Sequence, residues 1–206
     1  MLHLENSNHT PNDANNILLN SRDLAYGMNL IIRDCRVSSK FIELDVSVPK
    51  NVLELLLEKL APIGKINESR HIIEEQIEKN QLIKDGIFYF NNERFWESHE
   101  ALEGAWKQCT GSEKELIQGL ILIAAAFVHY QKDENKVCLS VLERAFKKLD
   151  NKSGKYHGVD VDSTKLKVIE MIEISTSISI TTSISSHIRA IFSLSCHCID
   201  RGCGLR

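Results

Sequence analysis

The sequence predicts a mainly α-helical chain, an antiparallel helical bundle preceded by a small β-β-α-β unit. Three observations lead there. Apolar residues recur at helical spacing almost without a break from Ile73 to Leu149. Before that, Ile42, Leu44, Val46 and Val48 alternate with Glu43, Asp45 and Ser47, the period-two mark of a strand buried on one face. The links between the helical segments are short, so neighbouring helices are expected to pack antiparallel.

Residues 1–27 carry Asn6, Asn8, Asn12, Asn15, Asn16 and Asn20 and no apolar pattern longer than Ile17-Leu18-Leu19, so they read as a disordered leader. Met28 stands just before the first predicted strand and is a candidate start. Mass spectrometry of protein from its own cells would then find no peptides from residues 1–27. Residues 28–73 form the α/β unit. Leu30-Ile31-Ile32 is a short strand, Arg36-Val37-Ser38-Ser39 a hairpin link, and residues 42–48 the second strand. Pro49 keeps Val48 extended and suits the first turn of a helix with Val52, Leu53, Leu56, Leu57 and Leu60 on its apolar stripe. Pro62 and Gly64 end that helix, and a third strand falls within 63–73. Roughly 45 residues bury little core alone, so the unit is expected to dock on the helices C-terminal to it.

The bundle spans residues 74–173. Its first helix covers about 74–90, with Ile77, Ile87 and Phe90 among its apolar positions; Asn91-Asn92 break it and cap a second, which stops at Thr110-Gly111. Ser112 and Glu115 form a capping box for a third helix, apolar on almost every side from Leu116 to Val128. Such a helix belongs in the centre of a bundle and is too short to cross a bilayer. Gly119 lets a neighbour approach it closely. A fourth helix begins near 135 with Cys138, Leu142, Ala145 and Leu149, and Ser163 caps a fifth with Leu166, Ile169 and Ile172. Residues 174–206 are a low-complexity Ser/Thr/Ile tail with a Cys-rich end. Cys196, His197, Cys198 and Cys203 do not have zinc-knuckle spacing and read as free thiols on a poorly ordered segment.

Composition excludes several functions. A chain that is 43% hydrophobic and 26% charged is an ordinary globular one. A net charge of -3 gives no pull toward nucleic acid or anionic lipid, so neither is an expected partner. Arg144, Lys147, Lys148, Lys152 and Lys155 read as a solvated helix end. No secretory signal is apparent and a cytoplasmic location is expected, with Cys35, Cys109 and Cys138 as small buried hydrophobes. No phosphate-binding loop, dinucleotide glycine pattern, nucleophile elbow or kinase signature occurs, and no cofactor is expected.

The candidate site lies in the run from Phe95 to Trp106. On a helical wheel Leu102, Phe95, Trp106, His99, Glu103 and Trp96 share one arc, while Glu97 and Gly104 lie opposite. Glu97 therefore reads as solvated. His99 and Glu103, at i and i+4, are a polar pair inside an apolar stripe and the candidate catalytic residues. A carboxylate beside an imidazole orients its proton for general acid-base work. Trp96, Glu100 and Trp106, with Gln118 and His129 from the next helix, are the candidate ligand-binding residues. Three readings stay open: a polar network that fixes helix packing, a ligand or catalytic pocket, and a metal site. The metal case is weakest, because Glu103 stands where the zincin signature His-Glu-x-x-His has its second histidine. Aromatic residues at helical spacing are most often core, which bears on both tryptophans.

The run Phe88-Tyr-Phe-Asn-Asn-Glu-Arg-Phe-Trp-Glu-Ser-His-Glu-Ala-Leu-Glu-Gly-Ala-Trp106, then Leu116-Ile-Gln-Gly-Leu-Ile121 and Ala124-Ala-Ala, resembles the domain of unknown function 309 family over about residues 80–149. One departure is Leu122, where members often carry a second glutamine. The resemblance implies a small all-α bundle and no particular activity. The expected function is a module that binds an unknown small molecule or protein segment, with which a homo-oligomer is compatible. The alternative is a hydrolase-type enzyme with His99 as general base oriented by Glu103.

Overall fold

The alternation at residues 42–48 produces a strand, and the N-terminal part of the molecule is built around it. The computed structural model describes residues 1–70 and 77–177; it is mainly helical, with a small antiparallel sheet. Strand β2, Ile31–Val37, pairs antiparallel with β3, Phe41–Ser47, placing Cys35 against Leu44 and Val37 against Ile42. Arg36 and Val37 are therefore strand residues, and the link between β2 and β3 is Ser38-Ser39-Lys40. Helix α2, Leu53–Leu60, and strand β4, Ile66–Ser69, complete the predicted β-β-α-β order.

Residues 1–27 correct the expectation of a disordered leader. Leu2–Glu5 is strand β1, and it lies between β3 and β4 in a sheet ordered β2-β3-β1-β4. It pairs antiparallel on both sides, with Leu2 opposite Leu44 and Ser69. Asn6 serves as a turn former, whereas Asn15, Asn16 and Asn20 lie in a helix. Asn6 donates from Nδ2 to the carbonyls of His9 and Ser38, and His9 N donates to Asn6 Oδ1. Thr10 N then donates to Asp13 Oδ2 just ahead of helix α1, Ala14–Leu24. Leu2, Leu4, Ile42 and Leu44 turn to one face of the sheet. There they join Ile17 of α1 and Leu56 and Leu60 of α2 in one apolar cluster. The opposite face carries His3, Arg36 and Glu43, and it meets the helices.

Among the described residues five helices come after the sheet: α3 Lys79–Asn91, α4 Phe95–Lys107, α5 Gly111–Tyr130, α6 Asn135–Leu149 and α7 Val161–Ser177. A two-strand ribbon, β5 Lys155–Tyr156 with β6 Val159–Asp160, precedes α7. Each helix packs on the next in sequence, from α3 to α7. Leu102, Leu120, Phe127, Leu142 and Val168 are among the residues of their shared core, in which Phe90, Phe95 and Phe127 meet edge-on or tilted. A Cβ at Gly119 would lie 2.5 Å from Leu149 Cδ2, so α6 packs where α5 has no side chain.

The caps differ from expectation. Arg94, not Asn91-Asn92, precedes α4. Thr110 precedes α5, while Ser112 accepts a hydrogen bond from Lys152 Nζ. Asp160 Oδ1, rather than Ser163, is the capping acceptor at α7, taking Ser163 N. Cys35, Cys109 and Cys138 are buried free thiols, as expected. Cys196, Cys198, Cys203 and the rest of the tail from residue 178 lie outside the described residues. No helix among the described residues is long and apolar enough to cross a membrane.

Candidate functional site

Helix α4 buries two faces and leaves a third half open. Its apolar stripe, Phe95, Leu102 and Ala105, enters the helical core. Ser98 Oγ donates to the Gly86 carbonyl at 2.8 Å where α3 crosses, a close approach, since a Cβ on Gly86 would lie 2.7 Å from Leu102 Cγ.

The second buried face is the one expected in solvent. Glu97 is only 6% exposed, because the sheet docks there. Strand register builds its surroundings. Arg36 of β2, Glu43 of β3, His3 of β1 and Glu68 of β4 lie opposite one another in a single row across all four strands. Their charges alternate along that row, the arrangement in which cross-strand neighbours attract. His3 Nε2 lies 3.0 Å from Glu43 Oε2 and 3.4 Å from Glu97 Oε2. Arg36 Nε donates to Glu43, and its Nη1 donates to Asp34 Oδ2 at 3.0 Å. Glu97 also accepts from Arg94 and, at 2.7 Å, from Arg70, whose Nη1 lies 2.7 Å from the Tyr89 hydroxyl. Arg94 reaches Glu68 as well, at 3.0 Å.

Burial and pairing oppose each other in this cluster, and pairing prevails. Burial pulls the His3 pKa down, but contacts with Glu43 and Glu97 more than offset it, leaving the imidazole raised above its ordinary 6.5. Burial pushes Glu97 up, yet His3 and Arg94 hold its carboxyl at about 2, and Glu43 is lowered in the same way by Arg36 and His3. Stability from His3 is therefore fully present below pH 6.5 and is lost as pH rises through its folded value. Stability from Glu97 is present above 4.5 and is lost as pH falls through about 2. The cluster holds most firmly between these limits. Urea unfolding at about pH 5.5 and about pH 8.5 checks this: the wild type should lose more stability toward the higher pH than His3→Gln does. Equal losses would mean that His3 is not charged in the fold.

His3, Glu43 and Glu97 each offer one ligand atom, all within 4.8 Å of one another. A metal ion does not suit them. Arg36, Arg70, Arg94, Lys132 and His3 already face Asp34, Glu43, Glu68 and Glu97, which makes five cationic groups against four carboxylates when His3 carries its second proton. Exchanging a proton for a divalent cation would leave excess positive charge in a desolvated place.

The third face carries the residues singled out by sequence. The Trp96 ring packs against the helical core and stacks with His99, centroids 5.7 Å apart at 13°. The Arg36 guanidinium lies 5.1 Å from the Trp96 centroid, which ties this face to the charged row of the sheet. The nearest carboxylate to His99 is Glu100, 3.3 Å from Nδ1, and this contact holds the Glu100 carboxyl below its ordinary value. Glu103 lies 3.8 Å from Lys107 Nζ. His99, Glu100 and Glu103 each present one ligand atom within 4.8 Å of the others. The side chains of Glu100 and Glu103 are 50% and 40% exposed and that of His99 24%.

The other candidates sit elsewhere. Lys114 Nζ lies 4.2 Å over the Trp106 ring, whose buried Nε1 has no hydrogen-bond partner among the described residues. His129 is bonded to Glu134 beyond the end of α5. Among the described residues no hydrogen bond or ion pair joins Gln118 or His129 to His99 or Glu103.

A sequence model of one family, Domain of unknown function (DUF309), matches residues 83–141, and over that segment it confirms the resemblance read from the sequence. The match takes in Glu97, His99, Glu100 and Glu103, and leaves out His3, Arg36 and Glu43. No curated protein and no solved structure matches the chain.

Proposed function

We propose that this chain is a binding module. In this reading its helices form an antiparallel bundle that presents the Trp96–Glu103 face of the DUF309 segment to a small ligand or a partner segment. One observation carries the proposal. Glu97 ties α4 into the buried cluster, whereas His99, Glu100 and Glu103 on the same helix stay reachable from solvent and, among the described residues, make their ion pairs within α4. A polar group that the fold does not use, fixed beside a stacked tryptophan, is suited to recognition. A cytoplasmic setting goes with this reading, since Cys35, Cys109 and Cys138 are unpaired thiols. The hydrolase alternative draws on less, because the carboxylate nearest His99 is the half-exposed Glu100, where water competes for the imidazole.

The test is a fragment screen by NMR on the full chain. Bound fragments are expected to shift the Trp96 indole and His99 ring signals, and His99→Ala should abolish those shifts while leaving the remaining spectrum folded. Fragments that map only to other surfaces would contradict the reading.

A further inference from the structure

We infer that the cleft between the sheet and the helices is a binding site for a small primary alkylammonium ion. The cleft holds about 210 Å³, room for about seven waters at ~30 Å³ each, and is half open to solvent. Sites for drug-sized ligands span ~300–1,000 Å³, so this one fits a ligand of few atoms. His9 and Thr10 line it from the turn ahead of α1, Ser39 from the β2–β3 link, and Glu93 and Gln131 from the helical part. None of Trp96, His99, Glu100 and Glu103 lines it, so the site is separate from the outward face of α4.

The lining fixes the sense of the hydrogen bonds. Thr10 Oγ1 gives its proton to Asp13 Oδ2 at 3.0 Å, and Ser39 Oγ gives its proton to Glu93 Oε1 at 2.7 Å. With those protons committed, both hydroxyls offer lone pairs, and a ligand beside them has to donate. Glu93 adds a carboxylate, and among the described residues no lysine or arginine lines the cleft. A cationic donor suits such a place, and an ammonium has three donors and no acceptor. Val37 and Phe95 supply an apolar wall for its alkyl chain. The acceptor side is also built in advance. Glu93 has a φ of 60°, a left-handed conformation that residues other than glycine seldom take. That backbone turns its carbonyl to Gln131 Nε2 and its carboxylate to Ser39 N, each at 2.7 Å. Glu93 lies within the DUF309 match, whereas His9, Thr10 and Ser39 lie outside it. The site therefore exists only where the N-terminal sheet docks on the helices.

The experiment titrates n-butylamine, 1-butanol and butyrate into the full chain and follows its backbone amide NMR signals. At about pH 8 a primary amine is still an ammonium, so the three probes share a chain length and differ in charge. The expected result is saturable shifts with butylamine alone, at the residues lining the cleft, with a Kd of ~1 mM or tighter. Glu93→Gly removes the carboxylate while suiting the left-handed backbone, and should weaken binding at least ~10-fold, as the loss of a hydrogen bond to a charged group does. His9→Lys places a fixed cation at a side chain that is 41% exposed, so the fold is kept and butylamine binding should again fall. A blocked Gly-Lys-Gly peptide separates two sources of the same group. Tighter binding than butylamine assigns the site to a lysine side chain of a partner, and weaker binding to a free amine. Absence of saturable shifts in the cleft, equal binding of butanol or butyrate, or variants that bind butylamine as the wild type does would each overturn the inference.

Discussion

Glu97→Ala is expected to destabilise the protein by ~3–5 kcal/mol, the range found when one partner of a buried ion pair is removed and the other is left. The carboxylate serves His3, Arg94 and Arg70 at once. Arg70, with its side chain 42% exposed, can return to water; His3 and Arg94, at 3% and 16%, cannot do so without lifting the sheet from α4. Glu97→Gln keeps the volume and some of the hydrogen bonds, so it should fall between alanine and wild type. Urea unfolding at a pH inside the cluster's stable range measures both. A loss below about 1 kcal/mol for alanine would mean that the sheet is held by apolar contacts and that the charges are incidental.

Deletion of residues 1–27 is expected to be more severe. Strand β1 is interior to the sheet, and its loss leaves β3 and β4 with unpaired backbone groups facing a gap. It also removes Leu2 and Leu4, at 1% and 0% exposure, and takes His3 from between Glu43 and Glu97. A chain beginning at Met28 should therefore aggregate or unfold without a cooperative transition. Leu4→Ala is the gentler probe, with an expected cost of ~2–5 kcal/mol for an emptied core position. A chain of residues 28–206 that melts like the full protein would contradict the sheet order described here.

The two buried faces of α4 explain what could and could not be read from the sequence. The helices from α3 to α7 were legible because their apolar stripes run for several turns, and β3 because seven residues suffice to show alternation. Strand β1 was not, since two leucines in four residues make no pattern and the asparagines after it read as disorder, although Asn6 forms a turn and Asn15, Asn16 and Asn20 lie in α1. Glu97 was misplaced for a related reason. A helical wheel assigns one buried face by hydrophobicity, and a face buried by charge pairing against a sheet looks solvated. The partners of Glu97 depend on a register that exists only once β1 takes its place beside β3. His99, Glu100 and Glu103 were found as a group because they are neighbours in the chain. Their exposure, and the assignment of the structural role to Glu97, needed the docked sheet.

Helix α4 thus divides its polar residues between holding the fold and facing outward. That division is tested by the unfolding free energies of His99→Ala and Glu97→Ala in urea, side by side in the same buffer. His99→Ala is expected to cost no more than about 1 kcal/mol, as a partly buried side chain with its contacts inside α4 should, while Glu97→Ala loses several times that amount. Equal losses, or a His99→Ala protein less stable than Glu97→Ala, would place His99 in the architecture and refute the division.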